Sequence, residues 1–278
     1  MTHTTFLRLV ATLLLGFLGL FTKTAFALTF AVVPQFSPEQ IAQAWSPILS
    51  ALSQATGVKL ELKIYPSIGE FEAAFIKGEP DIAYMNPYHA VMARKAAGYV
   101  PVIRDDLQRL TGILVVRKNS PVTQISQLDG GTLAFPAPNA FGASLYMRAL
   151  LTEEAMLRFT PVYVKTHSNV FRHVITGSAI AGGAIRQTLA KERPEVQAEL
   201  RIIYETPPAF AHPVAVHPRV PAGVRMSLQQ AFLKLGGDPA YAEALNAIQI
   251  PGPAKTNYAE YAPLEKLGLE RYIVLKEE

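Results

Sequence analysis

This 278-residue chain predicts an α/β class arranged as two doubly wound lobes joined by two crossings. Three observations carry that reading. Strand-like and helix-like segments alternate with little filler, the pattern of a parallel sheet covered by helices on both faces. The chain leaves its first alternating unit at "GILVVRKNS" and returns after the Pro-rich "PPAFAHPVAVHP". Once an N-terminal apolar stretch is set aside, about 250 residues are enough to bury one large core or two moderate ones. The lobes are then 28–110 with 210–278, and 111–209, with crossings near 104–118 and 203–213. One continuous doubly wound domain is the alternative.

The N-terminal stretch reads as a secretory signal peptide. Residues 1–10 carry one arginine and no acid, an apolar run spans Leu9 to Phe21, and Ala25-Phe26-Ala27 places small residues where a signal peptidase reads. Cleavage after Ala27 would start the mature chain at Leu28, outside the cytoplasm. An uncleaved anchor is the other reading, but the run is shorter than the ~20 apolar residues of a spanning helix. There is no cysteine, so stability is expected without disulfides. The formal charge of +4 falls by two when Arg8 and Lys23 leave with the leader. So mild a balance, with no basic run, speaks against nucleic acid and stays compatible with a small anionic ligand.

Each element follows from local chemistry. "LTFAVV" (28–33) is a buried strand, and the helix after it starts on Ser37, Pro38 and Gln40 as a capping box and stops at Gly57. Pro47 is expected to kink or divide that helix. "VKLELKIY" (58–65) alternates as a half-exposed strand, and "SIGEFEAAFIKG" repeats the cap, ending at Gly78. "DIAY" is the third strand. Asn86 and Pro87 then open a helix that ends at Gly98, followed by "YVPVIR". In the second lobe a strand at 132–135 leads through a turn to a helix, "TPVYVKTHSNVFRHVITG" repeats strand, turn and helix, and "SAIAGGAIRQTLAKE" does so again. Helices near 222–235 and 238–246 follow the return crossing.

Catalysis has little to stand on. No Gly-x-Ser-x-Gly elbow, Walker loop or dinucleotide fingerprint occurs, and thiol chemistry needs a cysteine. His167 and His173 are six apart, on different helix faces, so no metal site and no cofactor is expected.

The chain instead repeats one device at four strand-to-helix junctions. These are Gln35-Phe36-Ser37, Asn86-Pro87-Tyr88, the run Asn139, Ala140, Phe141, Gly142, Ala143, Ser144, and Thr166-His167-Ser168-Asn169. The first turn of a helix leaves N–H groups unpaired at the positive end of the macrodipole, which makes each junction either an ordinary cap or an anion seat. In open α/β sheets such junctions gather where ligands bind. Tyr84 and Tyr88 are expected as cleft walls or core, and His89 as an oxyanion donor or a cover for the helix end. Gly142-Ala143 beside Ser144 allows close backbone approach. Gly183 serves packing or the ligand, and Arg186 either grips an oxyanion or stays exposed.

"LTFAVVPQFSPEQIAQAWSPILSALSQATGVKLELKIYPSIGEFEAAFIKGEPDIAYMNPYHAV", "GTLAFPAPNAFGASLYMRALL" and "VKTHSNVFRHVITGSAIAGGAIRQTL" together resemble the periplasmic phosphate/phosphite/phosphonate-binding proteins of the PhnD type. The resemblance spans the mature chain. It implies a type II periplasmic binding fold whose two lobes close on a small oxyanion and present it to the membrane permease of an ABC transporter. The family's binding segments match residues around Tyr84 to His89, Asn139 to Ser144, and Thr166 to Asn169, with its aromatic after "DIA" at Tyr84 or Met85. Two departures stand out. A Ser-Thr-Ser-Gly run is replaced by the hydroxyl-poor 139–144, and an acid suited to an aminoalkyl group is replaced by Ala181-Gly182-Gly183. A smaller or more apolar anion than an aminoalkylphosphonate is therefore expected. The protein is expected to be a monomer. A periplasmic ligand sensor that docks on a membrane histidine kinase, or an exported enzyme using His89 or His167, are the competing readings.

Overall fold

A computed structural model describes residues 27–274. The predicted leader, apart from Ala27, lies outside the described residues. Strand β1 (Ala27–Val32), helix α1 (Pro38–Thr56), β2 (Lys59–Ile64), α2 (Ile68–Ile76), β3 (Ile82–Tyr84), α3 (Pro87–Ala97) and β4 (Val100–Asp105) form the first alternating unit. The second holds β5 (Gly112–Arg117), β6 (Thr132–Phe135), α4 (Tyr146–Glu153), β7 (Thr160–Tyr163), α5 (His167–Ile175), β8 (Ala181–Ile185), α6 (Arg186–Ala190), α7 (Pro194–Ala198) and β9 (Leu200–Glu205). The chain then returns through β10 (Val214–Val216), α8 (Ala222–Gly236), α9 (Ala242–Ala247) and β11 (Pro253–Lys255).

Two sheets result, a six-stranded one ordered β11-β4-β10-β3-β1-β2 and a five-stranded one ordered β7-β6-β8-β5-β9. They are mixed where the sequence predicts parallel. β1 runs parallel to β2 and β3, and β6 to β7 and β8, but β10 is antiparallel to both β3 and β4, and β5 to both β8 and β9. The cause is the double crossing: β5 and β10 are the strands that enter a sheet from the other lobe, so they run against its parallel members. β10 lies inside the Pro-rich segment read as a plain crossing, and β11, Pro253–Lys255, follows Pro251 and Gly252 with no strand-like pattern of its own.

Helix starts and stops follow the caps. Ser37 and Gln40 form a full capping box, and Gly57, Gly78 and Gly98 all adopt positive φ at helix ends. α1 runs unbroken through Pro47. Its buried face of Ile41, Trp45, Ile48, Leu49 and Leu52 holds the turn that loses an N–H, so packing overrides the expected division.

The crossings lie side by side. Leu110 and Ala209 exchange both backbone hydrogen bonds at 2.9 Å, Thr206 N donates to Gly112 O at 2.9 Å, and Gly112 N donates to the Thr206 hydroxyl at 2.9 Å. This two-stranded bridge ties the two crossings together between the sheets. The lobes are closed on each other: the main buried apolar cluster continues from Phe30, Trp45 and Tyr88 into Ala140, Phe141, Ala143 and Ile185 of the second lobe.

Candidate functional site

Three of the four junctions carry a side-chain cap in the expected place. Gln40 N donates to Ser37 Oγ at 3.4 Å, His89 N to Asn86 Oδ1 at 2.7 Å and Asn169 N to Thr166 Oγ1 at 3.2 Å. The fourth opens with a wide turn, Phe141–Leu145, in which Leu145 N reaches back to Ala140 O at 3.1 Å before α4 begins. Phe141, Gly142 and Ala143 stand first in that turn, so their N–H groups have no partner inside the helix.

These starts meet on one small cavity between the lobes. The first lobe contributes Val33, Gln35, Ile68 and Asn86; the second contributes residues 140–143, His167 and Ile185; the crossings contribute Leu110 and His212. Its free volume is about 10 Å³, room for about one water. None of the lining residues is a lysine, arginine, aspartate or glutamate. Its polar character comes from Gln35, Asn86, two imidazoles and the helix starts.

Both imidazoles are held neutral. Burial pushes His167 down to about 3, and burial, reinforced by repulsion from His89 and His167, pushes His212 down to about 3. His167 Nδ1 is buried without a hydrogen-bond partner. A negative charge in the cavity would favour the imidazolium form of both rings.

Two larger chambers flank the cavity. One, of about 560 Å³, is walled by Phe36, Trp45, Tyr84 and Ser168 and carries Lys191, Glu192 and Arg193. The other, of about 840 Å³, takes Phe36, Tyr163, Thr166 and Asn169 and carries Lys165, which is held at φ 75°. Lysine 191 ties the lobes at the rim: its Nζ donates to Asn246 O at 2.7 Å and to Ala247 O at 2.9 Å.

Of the residues read as ligand-facing, Gln35, Asn86, Phe141, Gly142, Ala143 and His167 line the small cavity. Phe36, Tyr84, Thr166, Ser168 and Asn169 line the chambers. The structure puts the other six elsewhere. Tyr88 is buried with its ring 6.2 Å from Phe141 and nearly parallel to it. Burial, with Glu270 nearby, pushes its phenol well above the ordinary range. His89 Nε2 pairs with Glu72 at 2.8 Å, and Asn139 Nδ2 donates to the same carboxylate at 2.7 Å. Ser144 Oγ accepts from Arg148 Nε at 3.2 Å. Arg186 is half exposed and pairs with Glu205. Gly183 supports the site from behind: a Cβ there would stand 2.0 Å from Ala143 O, and one at Gly112 would stand 2.1 Å from Gly142 O.

His212 is the residue that the sequence reading missed. The available signal was its place in a crossing segment, because crossings between two lobes pass the cleft. Ile68, Leu110 and Ile185 had no such signal, being ordinary apolar residues in pattern.

Residues 30–261 match the family described as ABC transporter, phosphonate, periplasmic substrate-binding protein. The chain belongs to this family. The resemblance read from three sequence segments and the match over most of the chain agree, so this is a periplasmic substrate-binding protein of the phosphonate ABC transporter type and not an enzyme. Its fold is the type II periplasmic binding fold. A binding protein component of an ABC phosphonate transporter from Pseudomonas aeruginosa superposes with a TM-score of 0.80 at 15% identity, covering 89% of this chain and 88% of that one. PhnD1 of Prochlorococcus marinus, in complex with methylphosphonate, gives 0.79 at 16% identity over 89% and 99%. A Xanthomonas citri protein bound to chloride ion gives 0.74 at 17% identity over 88% and 98%. At these identities the superpositions speak for the fold of this binding protein alone.

Proposed function

We propose that this binding protein captures a small oxyanion of phosphonate, phosphite or phosphate type in the interlobe cavity and delivers it to the membrane permease of an ABC transporter. The observation that carries the reading is the convergence of helix starts from both lobes, at Asn86, Phe141 and His167, on one small cavity lined by buried residues. Gln35, Asn86, the N–H groups of 141–143, His167 and His212 are the groups we assign to the ligand. No carboxylate lines the cavity, which favours a ligand without an ammonium group. The closed cavity is smaller than any such ligand, so binding requires the lobes to open at the 110/209 crossings and settle around the ligand in a cleft wider than this one.

The finer assignments belong to the same proposal. The lobes comprise 28–110 with 210–278 and 111–209, the protein acts as a monomer, and a leader cut after Ala27 carries it to the periplasm. A permease rather than a sensor kinase is the favoured partner, in keeping with the family. Calorimetry on ligand-stripped protein with methylphosphonate, phosphite, phosphate and sulfate tests the ligand class. Heat from at least one phosphorus oxyanion is expected, and none from any of them overturns it. N-terminal sequencing of the exported protein should read from Leu28.

A further inference from the structure

The cavity does not use the most deeply buried ionisable pair near it. Glu72, on α2, and His89, on α3, are 3% and 0% exposed, and Glu72 Oε1 stands 2.8 Å from His89 Nε2. Both belong to the first lobe. The second carboxylate oxygen of Glu72 is satisfied from across the cleft: Asn139 Nδ2, in the loop after β6, donates to Oε2 at 2.7 Å. The backbone of Asn139 is held as well, because Asn86 Nδ2 donates to Asn139 O at 3.2 Å. Asn86 is also the cap of α3 and a lining residue of the cavity. Asn139 is in turn fixed by the C-terminal segment, donating to Val274 O at 2.8 Å and accepting from Val274 N at 3.0 Å.

A buried carboxylate is costly unless its oxygens are paired. Here one oxygen is paired within the first lobe and the other only when the second lobe is docked. The structure assigns to Glu72, Asn139 and Asn86 the role of an interlobe latch: positioning residues that complete the pairing of a buried carboxylate on closure, keep the ligand-free protein substantially closed, and share Asn86 with the ligand cavity. Such a latch raises apparent affinity by stabilising the closed form that holds the ligand, with no contact of its own between Glu72 or Asn139 and the ligand. This goes beyond the identity of the ligand and does not depend on it.

The chain has no cysteine, so cysteines introduced at exposed Gln54 and Arg172, one on each lobe, take spin labels cleanly. Pulsed electron–electron distances in ligand-free protein should show a substantial short-distance population in the otherwise unchanged protein. Glu72→Gln offers a mixed amide where two acceptors are required, and Asn139→Ala removes the donor. Each variant should lose that population, and the affinity for methylphosphonate should drop about tenfold, with saturating methylphosphonate restoring the short distance. An open ligand-free protein, or variants with the same distances as the parent, overturns the latch. Asn139→Ala decides the question if Glu72→Gln fails to fold. If no phosphorus oxyanion binds the parent protein, the proposed ligand class falls, and the ligand-free distances still settle the latch.

Discussion

Tyr84 and His212 stack with ring centroids 5.5 Å apart and planes inclined by 27°. Tyr84 ends β3 and His212 precedes β10, the antiparallel neighbour that enters from the other lobe, so the return crossing sets an imidazole against the "DIAY" strand. Trp45 closes on the same tyrosine at 4.9 Å. Burial pushes the Tyr84 phenol far above its ordinary value, so the ring serves as a wall and not as an acid. The histidine on its face stays neutral for the same reason.

That neutrality predicts acid sensitivity. His167 and His212 have folded values of about 3 against 6.5 for the free side chain. The unfolded chain therefore binds more protons between those values, and stability falls as pH drops through that window. Each ring contributes a slope of up to about 1.4 kcal/mol per pH unit. Denaturant unfolding near pH 7 and near pH 5 should show the loss, and His212→Gln should remove roughly half of it. A slope unchanged in His212→Gln would contradict the assignment.

Anion binding should take up protons. A negative charge in a cavity without lysine or arginine favours the imidazolium form of both rings, so their values rise on binding from about 3, and affinity falls as pH rises through the window between the free and the raised values. Calorimetry of methylphosphonate binding in two buffers of different ionisation enthalpy reads the uptake directly. Equal heats in both buffers would refute it.

Glycine 183 should tolerate no side chain. A Cβ would meet Ala143 O at 2.0 Å and the Phe135 ring at 2.6 Å, and forcing either apart costs about 1–3 kcal/mol or more. Gly183→Ala should lower the unfolding midpoint and weaken binding together, because the carbonyl it displaces belongs to the cavity wall. Gly223→Ala is the matched control: it lies in α8 with nothing within 4 Å of its Cβ. It should be neutral or stabilising by up to about 1 kcal/mol.

The shortage of hydroxyls should be correctable. Ala140 lines the cavity immediately before the Phe141 turn. A serine there adds a hydrogen bond to a charged group, about 1.5–3 kcal/mol, and Ala140→Ser should tighten methylphosphonate binding about tenfold in titration calorimetry. Unchanged or weaker binding would place the oxyanion away from this turn.

Much of the frame was readable before any coordinates. Capping chemistry is local, so Ser37, Asn86 and Thr166 marked three helix starts by residue type alone, and Gly57 and Gly98 marked two stops. Element order followed from alternation. The direction of β5 and β10 was hidden, because strand polarity depends on which side of a sheet the chain enters. Six expected ligand residues sit off the cavity and chambers for a related reason. Tyr88 spends its ring on Phe141 across the lobe interface and His89 its Nε2 on Glu72, so neither side chain lines the cavity.

The sequence by itself determined the family, the alternation of elements, the caps and the four helix starts, since each rests on residues close together in the chain. Tertiary structure alone decided that Glu72 would meet Asn139, 67 positions away, and that His212 would line the cavity. It also decided that the closed cleft would hold about one water and no charge. Those outcomes depend on how two lobes dock, and docking is set by the sum of contacts across the interface, which no local pattern records.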